Sequence, residues 1–265
     1  MMAQKVRFER PPVVEVVCGV QFGTLASLRA AHVGVFWEKI RTEFPAVDEA
    51  PPLSPVIETQ GLQSLEIAVG LIPPLPRTWF LTEDGHRLIQ LQRDRFVYNW
   101  RRSSPDDGDY PSYDNVIVDF ERVWHTFENF VTEENLGELV ARQLELAYVN
   151  IIPFGQIPDS DPVFLDHARN SSPERFLPAP ESFEWRTSYP LPNDSGRLHV
   201  LISSAREVAS GAPVRRLEMT ARGVNDAAPT GDMRSWFDLA HEWIVRGFTD
   251  VTTTRMQTEV WRRIS

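Results

Sequence analysis

The stretch TWFLTEDGHRLIQLQRDRFVYNWR, residues 78–101, decides the architecture. Two runs rich in apolar residues flank Glu83-Asp84-Gly85, where glycine supplies the positive φ that a tight hairpin turn requires. The second run reverses at Arg93-Asp94 and returns as Arg95-Phe96-Val97-Tyr98-Asn99-Trp100-Arg101. Residues 78–82, 86–92 and 95–101 therefore read as an antiparallel meander, and a sheet becomes the organising element.

Upstream, the β-branched run VVEVVCGVQF at 13–22 reads as another strand. Leu25, Leu28, Phe36, Trp37, Ile40 and Phe44 then fall at helical spacing, with Thr24 or Ser27 able to cap and Pro45 closing the helix. A loop through Pro51, Pro52 and Pro55 leads to an expected strand at 65–71. Beyond the meander, a polar loop containing Asp106, Asp107 and Asp109 precedes a long helix with the stripe Tyr113, Val116, Phe120, Trp124, Phe127 and Val131. Residues 143–152 form a strand, 153–180 turn proline-rich and polar, and strands follow at 183–191, 198–207 and 214–224. Asp232 can cap a last long helix striped by Met233, Trp236, Phe237, Ala240, Ile244 and Phe248; a tail with Met256, Val260 and Trp261 ends the chain.

The fold class is α+β: antiparallel sheets with long packing helices. Residues 1–135 and 136–265 repeat one order, namely strand, helix-bearing connection, antiparallel strands, long helix. EVVCGVQFG at 15–23 opens the first half and ELAYVNIIPFG at 145–155 could open the second. Two readings stand: a duplicated unit resembling the TATA-box-binding-protein-like or helix-grip arrangement, or a chance coincidence of order within one compact domain.

Composition narrows the function. With 27 basic and 37 acidic side chains the 265 residues carry a net charge of −10, which argues against generic nucleic-acid binding, since that affinity begins with neutralised phosphates. No apolar run is long enough for a membrane span, and the start at 1–12 lacks the apolar core of a secretory signal. One cysteine, Cys18, forms no internal disulfide, so a cytoplasmic location is expected. Lys5 and Lys39 are the only lysines, and neither follows a glycine as a phosphate-binding loop would require. The six histidines show no metal spacing, and His241-Glu242 fails the HExxH pattern because Val245 holds its last position. His241 is expected to be a capped or solvated helix residue near Asp238. No GxSxG or GxGxxG signature occurs; no catalytic residue, metal or cofactor is expected.

What stands out is polarity within strands that otherwise read as buried. Glu15 and Gln21 share one face of the first strand, Gln90 and Gln92 a face of the second meander strand, and Asn99 and Arg101 a face of the third, with Arg95 and Trp100 nearby. A buried carboxylate needs a partner, so Glu15 is expected to meet Arg95 or Arg101. These eight residues form either the solvent side of a half-exposed sheet or a patch that binds a partner or ligand, with Arg101 as an anion contact. Arginines recur on strand segments (Arg95, Arg101-Arg102, Arg215-Arg216), so one specific anionic ligand stays compatible with the acidic total.

Phe8-Glu9-Arg10-Pro11-Pro12-Val13-Val14-Glu15-Val16 leading to Gly19-Val20-Gln21-Phe22 carries a resemblance, as do the segment from Gln92 through Asp94, Arg95, Phe96, Asn99, Trp100 and Arg101, and the ending Ala240-His241-Glu242 to Phe248 and Trp261. Together they resemble a sporadically distributed family of uncharacterised prokaryotic proteins of about 250–270 residues, across essentially the whole chain. The resemblance implies mobile-element, toxin–antitoxin or defence neighbourhoods and supplies no catalytic residues. The leading expectation is a non-enzymatic cytoplasmic component that binds a protein partner in a regulatory role. The alternative is a small-molecule sensor or carrier with a cavity between sheet and helix. A third reading, an enzyme built around Glu15, Arg95 and Arg101, has no recognised motif behind it.

Overall fold

The computed structural model describes residues 6–54, 56–58, 64–65, 75–102, 110–154, 182–207, 210–224 and 233–265. The meander forms as its turn chemistry requires: β5 (Arg77–Leu81), β6 (Arg87–Gln92) and β7 (Arg95–Arg101), with Gly85 at φ 71° in the first turn. Antiparallel pairing extends from them into one nine-stranded sheet. The other strands in it are β1 (Val13–Phe22), β2 (Ala46–Ala50), β8 (Ala141–Pro153), β9 (Glu184–Pro190), β10 (Arg197–Arg206) and β11 (Pro213–Val224), while β3 (Val56–Ile57) and β4 (Ser64–Leu65) make a separate two-stranded ladder.

The sheet order is β2-β5-β6-β7-β1-β8-β11-β10-β9. Its seam is the antiparallel pair β1–β8, in which Val16 opposes Tyr148 and Val20 opposes Leu144. Moving outward, β1 is followed by β7, β6 and β5, and β8 by β11, β10 and β9. The seam joins the stretches 1–135 and 136–265 through main-chain hydrogen bonds, so they share one sheet.

Three helices pack on one face: α1 (Ala30–Ile40), α2 (Tyr113–Glu133) and α3 (Met233–Val251). Nine residues of α2, from Tyr113 to Val131, are buried along one stripe. At about 1.5–3 kcal/mol for each large apolar side chain, this burial outweighs any intrinsic helix propensity. Phe36 of α1 and Phe127 of α2 meet edge to face at 5.5 Å, and Phe96 of β7 stacks on Phe127 at 5.1 Å. Phe237, Ala240, Ile244 and Phe248 form the buried stripe of α3. No helix among the described residues is long and apolar enough to cross a membrane.

Differences from the sequence reading are local. α1 begins at Ala30, beyond Thr24 and Ser27, because Leu25 and Leu28 are buried in a preceding turn held by Leu25 N–H to Arg93 C=O. β2 arises where a loop was expected; its side chains are mostly exposed and it pairs as an edge strand to β5, so periodicity leaves no mark on it. The expected strand at 65–71, the acidic loop at 106–109, the stretch 155–180 and the cap at Asp232 fall largely or wholly outside the described residues. The lead before β1 meets the last residues: Arg7 N–H donates to Ser265 C=O and Ile264 N–H to Arg7 C=O, while Phe8 packs on Phe248 and Trp261.

Candidate functional site

Cross-strand register places seven of the eight polar-strand candidates on the sheet face away from the helices. Glu15 opposes Arg101, Val17 opposes Asn99, Gln21 opposes Arg95, and Gln92 opposes Arg95 from the other side. Trp100 alternates to the helix side, where it is 8% exposed and packs against Tyr110 at 5.3 Å. The polar face is not a solvated one: Gln21, Gln90, Gln92, Asn99 and Gln143 are each at most 9% exposed. Glu15 takes its hydrogen bond from Asn99 Nδ2 at 2.7 Å, not from an arginine. Arg101, directly opposite it, turns its Nε to Gly85 C=O at 2.9 Å, and Arg95 donates to Gln21 Oε1 at 2.9 Å. On the other side of the seam, Glu145 does pair with its cross-strand arginine, Arg222, at 2.6 Å.

A connecting segment crosses this polar face. Leu53 and Gln92 exchange two hydrogen bonds of 3.1 Å, Ser54 C=O receives Arg95, and Glu58 N–H donates to Gln143 Oε1 at 2.7 Å. The Glu58 carboxylate, 4% exposed, lies 2.8 Å from His199 Nε2 and 3.4 Å from Arg197. Burial alone would raise its pKa, but hydrogen bonds from His199 and Arg197 and their charges outweigh that and hold it below the usual carboxylate range. Two of the sequence-singled residues, Gln92 and Arg95, thus serve to bind the chain's own segment.

The helix side holds a different constellation. Between the sheet, α3, the start of α2 and the N-terminal lead lies a cavity of about 300 Å³. Phe8, Pro12, Val13, Met219, Val245 and Phe248 make its apolar walls. At its inner end Tyr148 Oη lies 2.9 Å from Tyr110 Oη and 3.1 Å from His241 Nδ1. The Tyr113 ring stacks on the His241 imidazole at 3.9 Å with 7° between planes, and its hydroxyl donates to Asp238 at 2.8 Å. His241 is therefore a wall residue locked between two tyrosines, in place of the capped or solvated helix histidine expected from sequence.

Three features determine what this arrangement can do. Burial pushes the Tyr110, Tyr113 and Tyr148 hydroxyls well above the ordinary phenol range, so each stays neutral and retains its proton. Tyr148 has one proton and two neighbours; it donates to His241 and accepts from Tyr110, or the reverse, giving a relay with two polarities. Finally, the charges at the rim are matched: Arg7 with Asp114 at 3.9 Å and Glu9 with Arg262 at 3.1 Å. Sequence reasoning missed Tyr110, Tyr113 and Tyr148. The available signal was Tyr148 itself, in alternation with Leu144 and Leu146 on the core face, because a buried tyrosine needs a partner for its hydroxyl. No group of three or more His, Cys, Asp or Glu among the described residues is placed to hold a metal ion. No family model matches the chain, and no curated protein matches it significantly.

Proposed function

We propose that this chain is a sensor or carrier that binds a neutral, largely apolar small molecule in the cavity between the sheet and α3. The cavity with its Tyr110–Tyr148–His241 relay carries this reading: about 300 Å³ is the scale of a small-ligand pocket, and apolar walls with a few convergent polar groups are its usual chemistry. Neutral tyrosines and paired rim charges favour a ligand head such as a hydroxyl or carbonyl over an ion. Against a large aromatic docking patch stands the placement of the tryptophans: three are buried, five half-buried and none exposed. The test is solvent extraction of natively purified protein followed by mass spectrometry, alongside the cavity-filling variant Val245→Trp. A stoichiometric neutral compound absent from the variant supports the proposal; an empty extract and no saturable uptake of neutral apolar compounds would contradict it.

The same reading includes an internal duplication of a TATA-box-binding-protein-like unit. Its support is positional: Glu15 opposes Arg101 across β1–β7, and Glu145 opposes Arg222 across β8–β11. One shift relates Glu15 to Glu145 and carries Gln21 to Ile151, which faces Arg216 as Gln21 faces Arg95. An experimental structure whose halves superpose in that register supports duplication; any other best register contradicts it. Such a likeness concerns fold and carries no function of its own. The lone, fully buried Cys18 suits the reducing cytoplasm.

A further inference from the structure

The polar face carries an unsatisfied set of groups that the cavity does not involve. Gln90 Nε2 donates to Asn99 Oδ1 at 2.8 Å, and Asn99 Nδ2 donates to Glu15 at 2.7 Å. A carboxylate only accepts, so Glu15 fixes the polarity of both amides and leaves Gln90 Oε1 as an acceptor facing away from Asn99. Among the described residues that oxygen is buried without a partner, and so is the indole Nε1 of Trp79, its register neighbour on β5. Arg77 Nε is a third such atom, and its guanidinium lies over the Trp79 ring at 5.3 Å. Unmet buried polar atoms are costly, on the order of 1–3 kcal/mol each, and three neighbours are unusual.

Charge adds a second observation. Just over half of the arginines among the described residues pair with carboxylates, as Arg87 does with Glu43 and Arg234 with Asp238 and Glu121. Arg77 and Arg95, both half-buried on this face, have no carboxylate partner among the described residues. Pairing of Thr78 with Leu91 and of Gln92 with Arg95 sets Arg77 and Arg95 on either side of Gln92, and burial, then the like charge of Arg95, hold Arg77 below the ordinary guanidinium range. Water could satisfy orphan atoms of this kind, but it would leave both charges uncompensated.

We propose that Arg77, Trp79 and Arg95 form a binding site for a small oxyanion, a phosphate or carboxylate group, on a molecule that also offers one hydrogen-bond donor to Gln90. The two guanidinium groups supply the charge, Trp79 Nε1–H a fixed donor, and Gln90 Oε1 selects a ligand that carries a proton. A phosphate monoester and a hydroxycarboxylate share that chemistry, whereas acetate lacks the donor. Seating the anion requires Arg77 to swing off the Trp79 ring, a motion open to a half-buried flexible side chain.

The probes are inorganic phosphate, glycolate and acetate, titrated at constant ionic strength by calorimetry and thermal shift against Arg77→Gln, Arg95→Gln and Trp79→Phe. Phosphate or glycolate is expected to bind saturably with Kd of about 1 mM or tighter. The comparison between these two identifies the source, and acetate should bind more weakly than either. Trp79→Phe, which removes little besides the N–H, should weaken binding about 10-fold, and either arginine variant by more than that. Without anion, Arg77→Gln should melt at or above wild type, because it removes an uncompensated cation; with phosphate or glycolate the order should reverse. Val118→Ala, at an exposed position of α2, should leave anion binding unchanged. Absence of saturable binding, as a site holding only water would give, overturns the proposal; equal affinity in wild type and all three variants overturns it as well.

Discussion

Replacing Glu58 by glutamine probes the segment that crosses the polar face. The wild-type carboxylate is 4% exposed and receives His199 at 2.8 Å and Arg197 at 3.4 Å. A charge-assisted hydrogen bond contributes roughly 1.5–3 kcal/mol, and the longer contact to the 25% exposed Arg197 belongs at or below the low end. Glutamine keeps the volume and can still accept one bond, so the net loss should be about 2 kcal/mol. The segment can detach while the sheet persists, so the sharper assay is amide hydrogen exchange. The Glu58 amide, which donates to Gln143, should exchange about 30-fold faster in Glu58→Gln, the factor that about 2 kcal/mol implies. If detachment is coupled to global unfolding, the melting temperature falls by about 4–8 °C. The acid dependence has a defined sign. The native pKa of Glu58 is depressed, so its contribution is full above the unfolded value of about 4.3 and is lost as pH falls toward the native value. The difference between wild type and Glu58→Gln should therefore shrink as pH falls below the unfolded value. Unchanged exchange at Glu58 together with a melting temperature within about 1 °C of wild type at neutral pH would show that the Glu58 carboxylate does not hold the segment.

Other consequences are simpler to read. Cys18 is fully buried, and desolvation, assisted by Glu121, pushes its thiol far above the ordinary range; it should resist thiol reagents in native protein and react at once in denaturant. A Cβ at Gly223 would collide with Trp236 Nε1 and Ser195 C=O, which are joined by a 2.9 Å hydrogen bond, so Gly223→Ala should cost about 2–3 kcal/mol in a denaturant titration. Gly34→Ala, with nothing within 4 Å of the new methyl in the middle of α1, should instead stabilise by about 0.5–1 kcal/mol in the same titration. Tyr148→Phe breaks the relay between Tyr110 and His241 and should cost about 1–3 kcal/mol, measured by the same method.

How much of this was legible in the sequence depends on the range of the interactions involved. The meander was readable because its turn residues and strand lengths are local, and α2 and α3 because their stripes repeat every three to four residues. β2 was not: its side chains are mostly exposed, and only pairing with β5 makes it a strand. The polar residues of the meander were recognised as unusual, and their shared face followed from strand alternation. Their partners did not follow from local rules. Glu15 sits opposite Arg101 yet bonds Asn99 because Arg101 is engaged at the Gly85 turn, and Gln92 is met by Leu53, far away in sequence. The helix-side cavity was harder still. It draws Phe8, Tyr113, Tyr148 and His241 from four separate segments, and each of them alone reads as ordinary core or surface.

On this reading the space beside Tyr148 and His241 takes up a neutral apolar molecule. Fluorescence titration with prodan, a neutral dye with one carbonyl head, tests it most directly, comparing wild type with Val245→Trp. A single saturable, blue-shifted site that weakens about 10-fold or more in the variant is the expected result. Signal that never saturates, or equal affinity in both proteins, would contradict the assignment of the cavity as the binding site.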